Sequence, residues 1–182
     1  MKTMTTTPVQ PGTMTTRQRL ITSPIGLSAT GSGPKIFASA IQTLLIGVIL
    51  RYFFPSFTEI PGYEKAFCIP VGWVLVISGF LFYVLAIAQF LKNFRKGILI
   101  TSGAFSVSRN PIYSSWALFI FPGIGLLCNN WFFFLTGLIM ILAIVILVKR
   151  EENELVEKFG KQYTEYASRV KMIISFPNKA GL

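Results

Sequence analysis

Residues 111–147 read PIYSSWALFIFPGIGLLCNNWFFFLTGLIMILAIVIL and contain no charged side chain. About 20 apolar residues suffice for one helix to cross a hydrocarbon core of about 30 Å. This block is too long for one crossing, and its only polar interruption near the middle is Cys128-Asn129-Asn130. We read it as a helical hairpin with Asn129-Asn130 at its tip, giving two membrane spans. Upstream, a first apolar stretch over residues 36–54 stops at Pro55. A second over residues 67–91 stops before Lys92, Arg95 and Lys96. Downstream of Val148 the pattern changes to Lys149-Arg150-Glu151-Glu152, then to Leu155, Val156, Phe159, Tyr163 and Tyr166 at helical spacing. That stripe predicts an amphipathic helix leaving the fourth span, with a break at Gly160. The expected fold is all-α: an integral membrane bundle of about four transmembrane helices with a C-terminal amphipathic helical segment.

Composition agrees with this reading. The chain is 52% hydrophobic and 13% charged, whereas soluble domains carry about 25% charged residues. One domain is expected over residues 35–182, after a flexible N-terminal tail, residues 1–34. The tail is rich in Thr, Ser, Gly and Pro and lacks an apolar run long enough for a cleavable signal; a short surface-lying piece is expected near Leu20 to Leu27. The net charge of +10 has its basic residues flanking apolar runs, which favours anionic lipid headgroups over nucleic acid. Cys68 and Cys128 lie far apart, and there is no histidine. No metal site is expected, and Ser-His or Cys-His chemistry is excluded.

Lys and Arg divide unevenly between the two faces. Lys2, Arg17, Arg19 and Lys35 precede the first span; Lys92, Arg95, Lys96 and Arg109 lie between the second and third; seven follow the fourth. The opposite face has Arg51 and Lys65. Because Lys and Arg are retained on the cytoplasmic side, both termini and residues 92–110 are expected there.

Polar residues collect in two clusters, residues 98–113 and 149–166, which the hairpin brings together at one membrane face. In the first, Asn110 stands where a helix N-cap belongs and Pro111 at the favoured first helical position. An open helix start of this kind offers N–H groups to an anion, although it also serves simply to begin a span with Arg109 on a lipid phosphate. In the second, Glu151 and Glu152 follow the apolar core directly. Either carboxylate could pair with Arg109 or accept hydrogen bonds from a cofactor, or both could lie on an ordinary solvated helix face beside a Glu154–Lys158 pair.

In order, residues 97–105 (GILITSGAF), Ser108-Arg109-Asn110-Pro111-Ile112-Tyr113, the hairpin, and Glu151-Glu152 with Leu155, Phe159-Gly160, Tyr163, Tyr166 and Arg169-Val170 resemble the isoprenylcysteine carboxyl methyltransferase family and its phospholipid methyltransferase relatives. The resemblance covers roughly residues 90–177. It implies S-adenosylmethionine as cofactor, held by Gly97, Ile98, Leu99, Ile100, Phe105, Asn110, Pro111, Ile112, Tyr113 and Glu151, and a catalytic set of Arg109, Arg150 and Glu152. It also implies a lipid or lipidated acceptor at the cytoplasmic face. Three positions depart from the family pattern: Asn110 stands for a histidine, Phe105 for a tyrosine, and Leu147 for the arginine associated with a prenylcysteine carboxylate. Lys149 or Arg150 would have to replace that arginine.

A sulfonium methyl group is already activated, so the protein's work is alignment and exclusion of water. An anionic acceptor needs no base; an amine must lose a proton, for which Glu151, Glu152 and Tyr113 are the only nearby candidates, so the lack of histidine mildly favours an acceptor that is already anionic. The acceptor is expected to enter laterally from the bilayer. Phe119, Phe121 and residues 131–134 are candidates for lining its groove, although aromatic belts explain them equally well. Three readings stand: a methyltransferase acting on a prenylated thiol or carboxylate, a phospholipid amine or another hydrophobic molecule; a nicotinamide-dependent membrane reductase on a related scaffold; and a non-catalytic membrane protein.

Overall fold

The computed structural model describes residues 32–94, 96 and 98–175, and everything described is helix or connecting loop. Residues 1–31, Arg95, Gly97 and the Phe176-Pro177 end therefore lie outside the described residues, and with them most of the expected tail, including the piece near Leu20 to Leu27.

Helix α1 spans Gly33–Phe53, with Pro34 in its first turn. It ends where sequence demands, because Pro55 cannot continue the hydrogen-bond ladder. The short α2, Pro55–Thr58, turns the chain. Helix α3 runs Lys65–Phe94, about 45 Å at 1.5 Å per residue and longer than the apolar run at both ends. A single turn, α4 (Ala104–Val107), lies in the loop that follows. The third span is one continuous helix in three pieces: α5 (Pro111–Ser115), a π-helical turn over Trp116–Ile120, and α6 (Phe121–Cys128). Helix α7, Phe132–Phe159, carries the fourth span out past the glutamate pair, and α8, Lys161–Arg169, follows. Four helices are long and apolar enough to cross a membrane.

The hairpin tip is at Asn129, the only described non-glycine residue with positive φ (49°), a conformation Asn adopts more readily than most residues. Its Oδ1 accepts the Ile60 N–H at 3.0 Å. Nearby, Tyr63 donates to the Leu126 carbonyl at 2.6 Å and the Trp131 indole to the Phe57 carbonyl at 2.8 Å. These bonds tie the α2 loop to the hairpin at the end of the bundle remote from the glutamate pair. Gly160, with φ 52°, separates α7 from α8, as the sequence indicates.

The spans form a row. Helix α1 packs along α7, α7 on α6 and the π turn, and these in turn on α3; α1 and α3 do not pack along each other. Lipid tails are as apolar as a protein core, so close packing rather than water exclusion must hold the row together. Glycines permit it: a Cβ on Gly72 would stand 3.0 Å from the Gly123 carbonyl oxygen, and one on Gly137 would collide with the Ala117 carbonyl oxygen. The outward faces are apolar, with Leu45, Ile46, Ile49, Val74, Phe80 and Leu85 all exposed. Such continuous apolar surface belongs against hydrocarbon.

Candidate active site at one end of the hairpin

Arg109 and Glu152 meet here. The loop before α5 carries Arg109, whose backbone N–H donates to the Lys171 carbonyl at 3.0 Å. Glu152 lies on the extension of α7 beyond the apolar span. Arg109 Nη1 and Glu152 Oε1 are 3.1 Å apart, and both side chains are 16% exposed. The contact is an ion pair rather than an aligned hydrogen bond. Arg109 Nε and Glu152 Oε1 are both buried without a hydrogen-bonding partner, and an unmet buried donor or acceptor costs about 1–3 kcal/mol, more when charged. Arg109 Nε is thus a buried donor with no acceptor, and Glu152 Oε1 is held by the ion pair without a hydrogen bond of its own.

Tyr163, from α8, closes this pair. Its hydroxyl interacts with both members, and burial first, then the Glu152 charge, pushes its pKa up to about 12 against an opposing pull from Arg109. Tyr166, one turn on, is shifted upward further, by burial first and then by Tyr163. Its hydroxyl donates to the Phe105 carbonyl at 2.7 Å. Leu99, Leu155, Phe159 and Ala167 pack around the two tyrosines. The amphipathic stripe therefore seals the polar pair beneath α8.

Glu151 faces a different neighbourhood. Its carboxylate accepts from both the backbone N–H and the hydroxyl of Ser32, immediately before α1. Tyr113 stands close enough to experience the Glu151 charge, and its hydroxyl comes so near α1 that a Cβ on Gly33 would lie 2.7 Å away. Ser32 thus completes the Glu151 environment from a segment with no motif of its own. Nothing in the sequence marked it, because Ser32 is one of many Ser and Thr residues in that stretch.

The C-terminal segment is also folded into the site. Ser108 Oγ and Ser114 Oγ are 3.0 Å apart and donate to the Met172 and Ile173 carbonyls at 3.2 and 3.0 Å. Asn110 occupies the N-cap position, yet its side chain does not cap the helix. Its Nδ2 donates to the Met172 carbonyl at 3.2 Å, while Ser108 Oγ receives the Asn110 N–H. The expected side-chain cap is thus replaced by a clamp on residues 171–175.

Of the other sequence candidates, Pro111 is fully buried at the helix start and Ile112 and Ile100 are half-buried, whereas Ile98 is exposed. Arg150 is exposed, two residues and so about 200° round the helix from Glu152, and is not drawn into the Arg109 pair. Leu147 packs against the main core, and its carbonyl lies 3.3 Å from the Ser32 hydroxyl. Among the described residues no group of His, Cys or Glu could hold a metal ion.

A phospholipid methyltransferase family model matches residues 66–162, more than half of the chain. The chain belongs to the phospholipid methyltransferase family. It is accordingly a membrane methyltransferase, in agreement with the resemblance drawn from its motifs. The family match begins in α3, includes Arg109, Tyr113 and the glutamate pair, and ends at Gln162, just before Tyr163. Ser32 and α1 lie outside it. No curated protein and no solved structure matches the chain.

Proposed function

We propose that the protein transfers the methyl group of S-adenosylmethionine to the amine headgroup of a phospholipid at the cytoplasmic face of its membrane. The observation that carries this reading is the pair of unmet groups on Arg109 and Glu152. A guanidinium with an unmet Nε–H, ion-paired to a carboxylate oxygen that has no hydrogen bond, suits a zwitterionic headgroup, whose phosphate would take Arg109 and whose ammonium would take Glu152 as the two ions part. The family adds phospholipid methylation as its characteristic activity.

The residues around Glu151 fit the cofactor. Ser32 already presents an N–H and an O–H to that carboxylate, the donor types offered by an amino group or a ribose. Leu99, Phe105 and Tyr113 would supply apolar and aromatic walls. When bound, the cofactor supplies an electrophilic methyl group on a positively charged sulfur. Glu152 would take the proton that the amine must lose, and Arg109 would hold the phosphate so that the nitrogen keeps one orientation. Tyr163 would fix the carboxylate through its hydroxyl, and α8 would keep water out. The nitrogen gains a carbon as the sulfur–carbon bond breaks, leaving a neutral thioether.

A prenylcysteine carboxylate is less well served. Its family arginine falls on Leu147, which is packed against the core, and Arg150 points away from the pair. A nicotinamide reductase would call for a further basic cluster at Glu151, and among the described residues the groups that meet or sense its carboxylate are Ser32 and Tyr113.

Glu152→Gln tests the assignment, because it keeps the shape and loses the proton acceptor. With vesicles of phosphatidylethanolamine and labelled methyl donor, kcat should fall about 10²–10⁴-fold while the donor Kd stays unchanged. An unaltered kcat would remove Glu152 from the chemistry.

A further inference from the structure

Trp116 stands at the first residue of the π turn, within the third span. Its ring touches Phe37 of α1 at a centroid distance of 6.0 Å and Tyr83 of α3 at 5.9 Å, both edge-on. Those two helices do not pack along each other, so the indole reaches across the separation between the outer members of the row. Its Nε1 is buried and has no hydrogen-bond partner. An indole N–H can only donate, and a buried donor without an acceptor loses about 1–3 kcal/mol. The backbone is also irregular here: the Phe121 N–H bonds the Trp116 carbonyl five residues back. Single π turns of this kind recur at functional sites.

The surroundings define what would meet this donor. Trp116 is five residues into the span from Pro111, about 7–8 Å deeper than the helix start, and so lies below the Arg109–Glu152 pair. Lys35 lies in the first turn of α1, Lys92 in the last turn of α3 and Lys96 just beyond it; all three are exposed, and none is in an ion pair among the described residues. The separation therefore has a cationic rim, aromatic walls and one hydrogen-bond donor beneath. A diacyl phospholipid has the matching sequence of groups: an anionic phosphate, ester carbonyl oxygens one step deeper, and acyl chains below.

We infer that the separation between α1 and α3 seats the acceptor lipid, with Trp116 Nε1 donating to an ester carbonyl oxygen of its glycerol backbone. This rests on the proposed lipid acceptor for its orientation, with the headgroup at Arg109 and Glu152. The carbonyl bond makes Trp116 a determinant of specificity: it selects diacyl over dialkyl lipids, which share the headgroup and chains but lack the carbonyl. Trp116 touches no reacting atom.

Retention of lipid by the full chain in detergent, read by native mass spectrometry, tests this without any methyl donor. The probes are diacyl and dialkyl phosphatidylethanolamine of matched chain length. The parent should retain the diacyl form about 5-fold better, equivalent to about 1 kcal/mol for one neutral hydrogen bond. Trp116→Phe, which keeps the ring and loses the N–H, should bring the two to parity. Tyr83→Phe should keep the preference. Equal retention of the two lipids by the parent, or a preference surviving in Trp116→Phe, would overturn the inference. A protein that shows the predicted preference but methylates no lipid would contradict the proposed function and leave the lipid seat standing.

Discussion

Glu151 and Glu152 are neighbours in sequence but stand about 100° apart round α7, and this divides their surroundings: Glu151 meets Ser32, Glu152 meets Arg109. The pairing of Arg109 with one of the two was legible from the motif order, because a hairpin must bring residues 109 and 151–152 to the same face. Which glutamate takes the arginine was not legible, since helix rotation sets it. The Ser32 contact could not be read either; it depends on how α1 leans on α7. For Glu151, proposed to hold the cofactor, replacement by Gln should weaken S-adenosylmethionine binding by about 1–3 kcal/mol, as expected for a charge-assisted hydrogen bond. Glu154→Gln, on the exposed side of α7, should leave it unchanged. Titration calorimetry checks both. The tyrosines set a pH limit. Tyr163 and Tyr166 hold their protons more tightly folded than unfolded, so their contribution to stability is intact below pH about 10, the ordinary tyrosine pKa, and that of Tyr163 is lost as pH rises through about 12. Thermal melts in detergent should show that alkaline loss in the parent, with a smaller loss in Tyr163→Phe.

The sequence located the long elements well, because unbroken apolar runs and Pro55 fix where spans begin and end. It placed the hairpin tip at Asn129-Asn130 and the break at Gly160, both of which the backbone adopts. The π turn was hidden: one extra residue in a turn leaves no trace in a run that is apolar on all sides. The clamp of residues 171–175 on Ser108, Asn110 and Ser114 was hidden too, because the acceptors are backbone carbonyls that any residue carries. At the helix contacts, Gly137 faces the Ala117 backbone with no room for a methyl group, and backbone cannot rotate away as a side chain can. Gly137→Ala should therefore destabilise the bundle by about 1–3 kcal/mol, the usual range for overpacking. Gly62→Ala, where nothing lies within 4 Å of the added atom but φ is +68°, should cost only the smaller backbone strain of about 1–2 kcal/mol. Denaturation in mixed micelles would rank the two.

Across the whole molecule, the charge asymmetry and the row of four spans support a two-faced protein with its polar machinery at one end. The 15-to-2 division of Lys and Arg leads us to propose that both termini and the Arg109–Glu152 pair face the cytoplasm. With Cys68 and Cys128 replaced, single cysteines at Ser102 and Asn129 should react with impermeant reagent from opposite sides of the membrane; reaction from the same side would refute the topology. Class, span number and membrane residence were readable because the bilayer imposes them on composition and length. The acceptor was not, since it depends on side chains converging from α1, α3, the loop and α7. The central claim is methyl transfer to a lipid amine. Incubating the full chain in phosphatidylethanolamine vesicles with deuteromethyl S-adenosylmethionine, and then measuring the lipid extract by mass spectrometry, tests it most directly. The account predicts N-deuteromethylated phosphatidylethanolamine, formed by the parent and greatly reduced in Glu152→Gln. Lipid without the deuterated methyl group, from a parent protein that binds the donor, would contradict it.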